Sequence, residues 1–110
     1  MDFTKKYSWI IALVTFLIVS AVFQLLSPNI YDPDSFYHIR HAWLYKTSGF
    51  FNSSFPWVQY SVINKYQADI WYGFHILLTP LTFFNDLVFG IKLGAFLITT
   101  AVLFSFYIVF

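Results

Sequence analysis

Cysteine is missing from this 110-residue chain, and charged residues make up only 10% of it. Without cysteine there is no disulfide, no thiolate metal site and no cysteine nucleophile. The net charge is +1 and the lysines and arginines are scattered, so the chain lacks the electrostatic footprint of a nucleic-acid binder. What is abundant is apolar: 59% of the residues are hydrophobic and 25% are aromatic. A soluble domain of this size would have to hide more apolar surface than its interior could hold. The composition therefore indicates an integral membrane protein.

Trp9 to Leu26, WIIALVTFLIVSAVFQLL, carries no formal charge, and a helix of that length measures about 27 Å, close to the hydrocarbon thickness of a bilayer. Lys5 and Lys6 precede it, so residues 1–8 are expected to lie on the cytoplasmic side. The only small-residue stretch is SAV at Ser20 to Val22, inside the apolar run, which favours an uncleaved anchor over a cleaved signal. Ser27-Pro28-Asn29 ends the helix and opens a long external loop, 27–69. Within it, a helix over 35–47 is expected, with Asp34 or Ser35 as its N-cap and Thr47-Ser48-Gly49 as its stop. Phe36, Tyr37, Trp43 and Tyr45 do not fall on one narrow stripe, which suits a membrane interface where Arg40 and Lys46 snorkel. The stretch from Phe50 to Gln67 mixes aromatics with turn residues and reads as irregular or extended.

A second apolar run, Ile70 to Phe84, is broken by Gly73, His75 and Pro80 and needs residues back to 67 to reach spanning length. After a turn at 85–88, residues 89–110 form a third run whose single charge is Lys92. The expected fold is all-α and integral to the membrane, with spans at 9–26, 67–84 and 89–110. Lys92 would then face the same side as Lys5 and Lys6. The chain ends on FSFYIVF with no polar flank, which suggests a fragment of a longer protein.

The chain's chemistry gathers in YDPDSFYHIRHAW, Tyr31 to Trp43. Asp32 and Asp34 form a carboxylate pair around Pro33. On a helix, Asp34, His38 and His41 fall at i, i+4 and i+7 on one face, with Tyr37 and Arg40 on an adjacent one. An acidic pair suits Mg²⁺ or Mn²⁺, while a carboxylate with two imidazoles could equally hold Zn²⁺. Arg40 could grip a phosphate or diphosphate. The plain alternative is a helix cap beside solvated polar groups. Asp69 and His75 could reach the same outer cavity, although a span boundary and a helix-packing hydrogen bond are the simpler roles. Pro80 should kink the second span, and Gly90 and Gly94, spaced as G-x-x-x-G, could admit another helix.

The ordered residues Asp34, Phe36, Tyr37, His38 and Arg40, following a first span and a short turn, resemble the first external loop of the oligosaccharyltransferase catalytic subunit of the GT-C glycosyltransferase superfamily, above all its single-subunit form. The resemblance implies that Asp34 is the catalytic aspartate and binds Mg²⁺ or Mn²⁺ with Asp32 as auxiliary ligand. It implies that Arg40, Tyr37 and His38 contact substrate. It also implies a polyprenyl-phosphate or polyprenyl-diphosphate sugar donor, a peptide or glycan acceptor, and further transmembrane helices of a longer chain as partners. That family's second acidic motif and its WWDYG signature have no counterpart in these residues. A non-enzymatic multi-span membrane protein or assembly subunit is the alternative.

Overall fold

The computed structural model of the protein describes residues 3–30, 32–51, 60, 62–66 and 68–110. Among these residues the chain is all-helical: α1 (Phe3–Leu25), α2 (Asp34–Ser48), α3 (Val62–Tyr66), α4 (Tyr72–Leu78), a 3-10 helix (Thr79–Phe83) and α5 (Leu87–Val109). They divide into two compact units, one of Met1–Tyr31 with Ile91–Phe110 and one of Asp32–Gly90.

In the first unit, α1 and α5 are the two described helices long and apolar enough to cross a membrane. They run antiparallel, because the chain pairs them in opposite order. Lys92 Nζ, near the start of α5, donates to the carbonyl of Ser27 just beyond the end of α1. Farther along α5, the Tyr107 ring meets Phe16 edge-on at 6.5 Å. Lys92 therefore lies beside the end of α1 opposite to the one that carries Lys5 and Lys6. The Asp86 carboxylate opens α5 by accepting the Val88 N–H at 2.8 Å.

The second unit is built on α2. Its start is organised by Asp32, whose Oδ1 accepts the Asp34 N–H at 3.1 Å while its carbonyl accepts the Ser35 N–H at 3.1 Å. Asp32, not Asp34 or Ser35, supplies the capping carboxylate, and Asp34 is the first helical residue. Gly49 stops the helix at φ 95°, a left-handed conformation that glycine enters without steric cost, and returns its N–H to the Tyr45 carbonyl at 3.0 Å. The helix thus ends where the sequence places its stop.

The segment expected to form the second span takes another shape. α4 has seven residues and passes directly into the five-residue 3-10 helix, so the described residues 68–84 do not form one membrane-length helix. Pro80 is the cause. It has no N–H for the Ile76 carbonyl, which instead accepts the N–H of Thr79 and tightens the chain by one residue. The Thr79 and Thr82 hydroxyls then donate to the carbonyls of His75 and Thr79, at 3.0 and 2.7 Å, so this buried bend carries few unpaired groups.

Both pieces pack on α2. Ile39, Ala42 and Tyr45 from α2 and Leu78 from α4 are the buried apolar and aromatic residues of this contact. Lys46 crosses to the far end of the bend, donating to the Thr82 carbonyl at 3.0 Å with its ammonium 4.3 Å from the Phe83 ring centroid. Gly90 closes the unit: a Cβ there would lie 2.5 Å from the Leu81 carbonyl oxygen, so only glycine permits the approach. Part of the stretch expected to be irregular, 62–66, is the short helix α3, and residues 52–59, 61 and 67 of it lie outside the described residues.

Candidate functional site

The polar residues of α2 separate into two groups. Asp32, Asp34 and Arg40 are exposed. Asp32 is engaged in the turn, whereas nothing among the described residues hydrogen-bonds to the Asp34 carboxylate. Arg40 lays its guanidinium 4.1 Å from the Trp43 ring centroid, leaving its edge available to an anion.

Tyr37, His38, His41 and Tyr45 turn the other way, into the second unit. They form one stripe along α2, and α4 meets it with His75 while the segment just before α4 contributes Asp69. His41 and His75 are fully buried and their rings stack, centroids 4.6 Å apart at 28°. His38 is joined to His75 by a 2.8 Å contact between Nδ1 and Nε2. The Tyr37 ring packs against all three imidazoles at 5.1 to 5.6 Å.

Asp69 is the focus of this cluster. Its Oδ1 accepts the Trp71 N–H at 2.9 Å, a local turn that fixes the carboxylate before α4 begins. Its Oδ2 accepts the Tyr45 hydroxyl at 2.6 Å and lies 2.6 Å from His75 Nδ1 and 3.7 Å from His41 Nε2. The Asp69 side chain is only 3% exposed. Ordinarily such burial would neutralise a carboxylate. Burial does push Asp69 upward, but the hydrogen bonds from Tyr45, His75 and the Trp71 N–H, with the charge of His75, outweigh it and hold the carboxyl below its ordinary value.

The neighbours respond to the same surroundings. Burial, then the charge of His75, lowers His41 to about 4 against the opposing pull of Asp69, so His41 is neutral at physiological pH. His38 is lowered by burial and by His75, while Asp34, Asp32 and Asp69 pull it back. Burial, then the hydrogen bond to Asp69, raises Tyr45 well above the ordinary phenol value. Tyr37 is likewise raised, by burial and then by Asp69. His38 thus links the two groups, hydrogen-bonded to the buried cluster and within the field of the exposed carboxylates.

Measured against the sequence, His38 and His41 do share a face; Asp69 meets His41 at 3.7 Å and His75 at 2.6 Å, and His75 in turn links to His38. Tyr37 and His38, expected to contact substrate, have their rings against the buried cluster. His75 makes the helix-to-helix contact expected of it, to His38 on α2 at 2.8 Å, and Asp69, just before α4, bonds to both Tyr45 and His75. The His41–Tyr45 spacing of one helical turn was the available signal for the buried face; the partner across from it lies too far along the chain to be paired by spacing.

No protein-family model, no curated protein and no solved structure matches this chain.

Proposed function

We propose that this chain is the amino-terminal part of a membrane glycosyltransferase of the GT-C type, most like an oligosaccharyltransferase. It would use a polyprenyl-phosphate or polyprenyl-diphosphate sugar and pass the sugar to a peptide or glycan acceptor at the outer membrane face. The observation that carries the reading is the opening of α2. Asp32 spends its carboxylate on the turn, which leaves Asp34 exposed in the helix's first turn with no protein partner among the described residues.

The exposed oxygen donors fit a hard dication such as Mg²⁺ or Mn²⁺ as half of a site, the remaining ligands coming from water, donor phosphate and residues outside this chain. Such an ion, when bound, offsets charge on the departing phosphate. Asp34 would hold the acceptor and take its proton as the acceptor atom bonds to the anomeric carbon. The bond from that carbon to the phosphate oxygen breaks with inversion, and the polyprenyl phosphate or diphosphate leaves with the electron pair. Arg40, exposed one and a half turns along, would bind phosphate oxygens. The antiparallel α1 and α5 support the setting, since the chain between them leaves and returns at one end of the pair.

The test is Mn²⁺ paramagnetic resonance on the chain in nanodiscs containing a polyprenyl-diphosphate sugar. Binding that requires donor and disappears in Asp34→Ala, with Arg40→Ala weakening donor retention, supports the reading. Binding no greater than that of an Asp32→Ala/Asp34→Ala double variant overturns it in favour of a non-enzymatic membrane protein.

A further inference from the structure

We propose that His41, Asp69 and His75 bind a transition-metal dication, best matched by Zn²⁺, at a site separate from the exposed carboxylates that open α2. The inference does not rest on the glycosyltransferase reading.

Geometry carries it. One ligand atom from each of the three residues lies within 4.8 Å of the others. Zinc bonds to nitrogen or oxygen of about 2.0–2.1 Å place neighbouring ligand atoms of a tetrahedron about 3.3 Å apart. The observed separations from Asp69 Oδ2, 2.6 Å to His75 Nδ1 and 3.7 Å to His41 Nε2, fall on either side of that edge. The His41 and His75 rings, stacked in the unliganded cluster, would have to turn for both nitrogens to face one ion.

The donor set selects the ion. Two imidazole nitrogens and one carboxylate oxygen are borderline ligands that suit zinc, whereas Mg²⁺ and Ca²⁺ demand a fuller set of oxygens. The cluster buries one anionic carboxylate among imidazoles, and a dication bound there replaces hydrogen bonds with charge compensation where water is excluded.

The surrounding groups are those that orient metal ligands. Metal-binding histidines usually donate their second ring N–H to a fixed acceptor, and ligating carboxylates are themselves hydrogen-bonded. With Nδ1 of His75 on the metal, its Nε2 carries the proton and donates to His38 Nδ1, 2.8 Å away. Asp69 Oδ1 is held by the Trp71 N–H, leaving Oδ2 to face the ion. Tyr45, bonded to that same Oδ2, is the positioning residue for the carboxylate.

The experiment is zinc titration calorimetry on the whole chain in detergent after chelation, followed by Co²⁺ substitution and zinc-edge X-ray absorption. One equivalent of Zn²⁺ should bind, with Co²⁺ giving the intense visible bands of a tetrahedral site and the absorption edge showing two imidazoles. Asp69→Asn and His75→Ala should each weaken binding at least about 100-fold, and Tyr45→Phe about tenfold. Asp34→Ala should leave it unchanged. Absence of stoichiometric binding by the unaltered chain overturns the proposal, as does binding that survives in His75→Ala. Should the variants fail to fold, the unaltered chain decides: fewer than two imidazoles around zinc rejects the site.

Discussion

Tyr45 donates its phenol hydrogen to Asp69 Oδ2 across 2.6 Å, joining the middle of the second unit to the segment that leads into α4. A hydrogen bond to a charged acceptor is worth about 1.5–3 kcal/mol. Tyr45→Phe keeps the ring contacts and removes that bond alone, so the second unit should lose about that much stability. Urea unfolding in detergent, followed by tryptophan fluorescence, reads the change; a loss below about 0.5 kcal/mol would show that Tyr45 serves only as packing.

The two glycines near α4 and α5 make a controlled pair. At Gly90 a methyl group would meet the Leu81 backbone, which cannot swing aside as a side chain can. Gly90→Ala should cost about 1–3 kcal/mol as the bend is pushed away. Gly73→Ala meets nothing within 4 Å and should stabilise α4 by up to about 1 kcal/mol. Thermal melts of the two variants should shift in opposite directions.

Lys46 acts as a clamp on the 3-10 helix. Lys46→Met preserves the aliphatic stem and removes both the bond to the Thr82 carbonyl and the charge against Phe83. Hydrogen exchange should become faster at the amides of the bend while those of α1 stay unchanged. Equal exchange in both proteins would place the clamp's contribution at nothing.

At the opening of α2 the two aspartates should separate cleanly. Asp32→Ala removes the acceptor for the Asp34 N–H and should cost about 0.5–2 kcal/mol of helix stability. Asp34→Ala should cost no more than a few tenths, through the lost first-turn charge. Circular dichroism melts that rank the two variants the other way would return the capping role to Asp34.

Since the chain has no cysteine, membrane topology can be mapped with single introduced thiols. Ser48→Cys and Asn85→Cys should be labelled from the same side by an impermeant maleimide, because α1 and α5 form one antiparallel pair and the described part of 67–84 is no single long helix. Labelling from opposite sides would restore a span between them.

Much of this fold could be read in the sequence, for reasons that are local. The two long apolar runs, the stop at Gly49 and the cap-rich opening at Asp32 to Ser35 are each set by residues adjacent in the chain, and each lies close to where the sequence places it. Hydropathy registers the apolar character of Ile70 to Phe84 but not the change of helix type that Pro80 imposes, so one long helix is expected there where α4 and a 3-10 helix are found. The buried cluster was half legible. His38, His41 and Tyr45 share a helix face by spacing, but Asp69 and His75 join them only through the packing of α4 on α2, which no periodicity encodes. Asp34 is the carboxylate nearest to His41 along α2, and Asp69 is the one that meets His41 and His75 in space.

The antiparallel pairing of α1 and α5 also sets an order of events during synthesis. At 5–20 residues per second, the chain between the two long helices takes roughly 3–12 s to make. Through that interval α1 precedes its partner helix, and α2 emerges with His41 already displayed. Asp69 and His75 arrive near the end of it, shortly before the second long helix. The histidine face of α2 therefore waits for its carboxylate, and the growing chain exposes it first to whatever chaperone or free ion the compartment supplies.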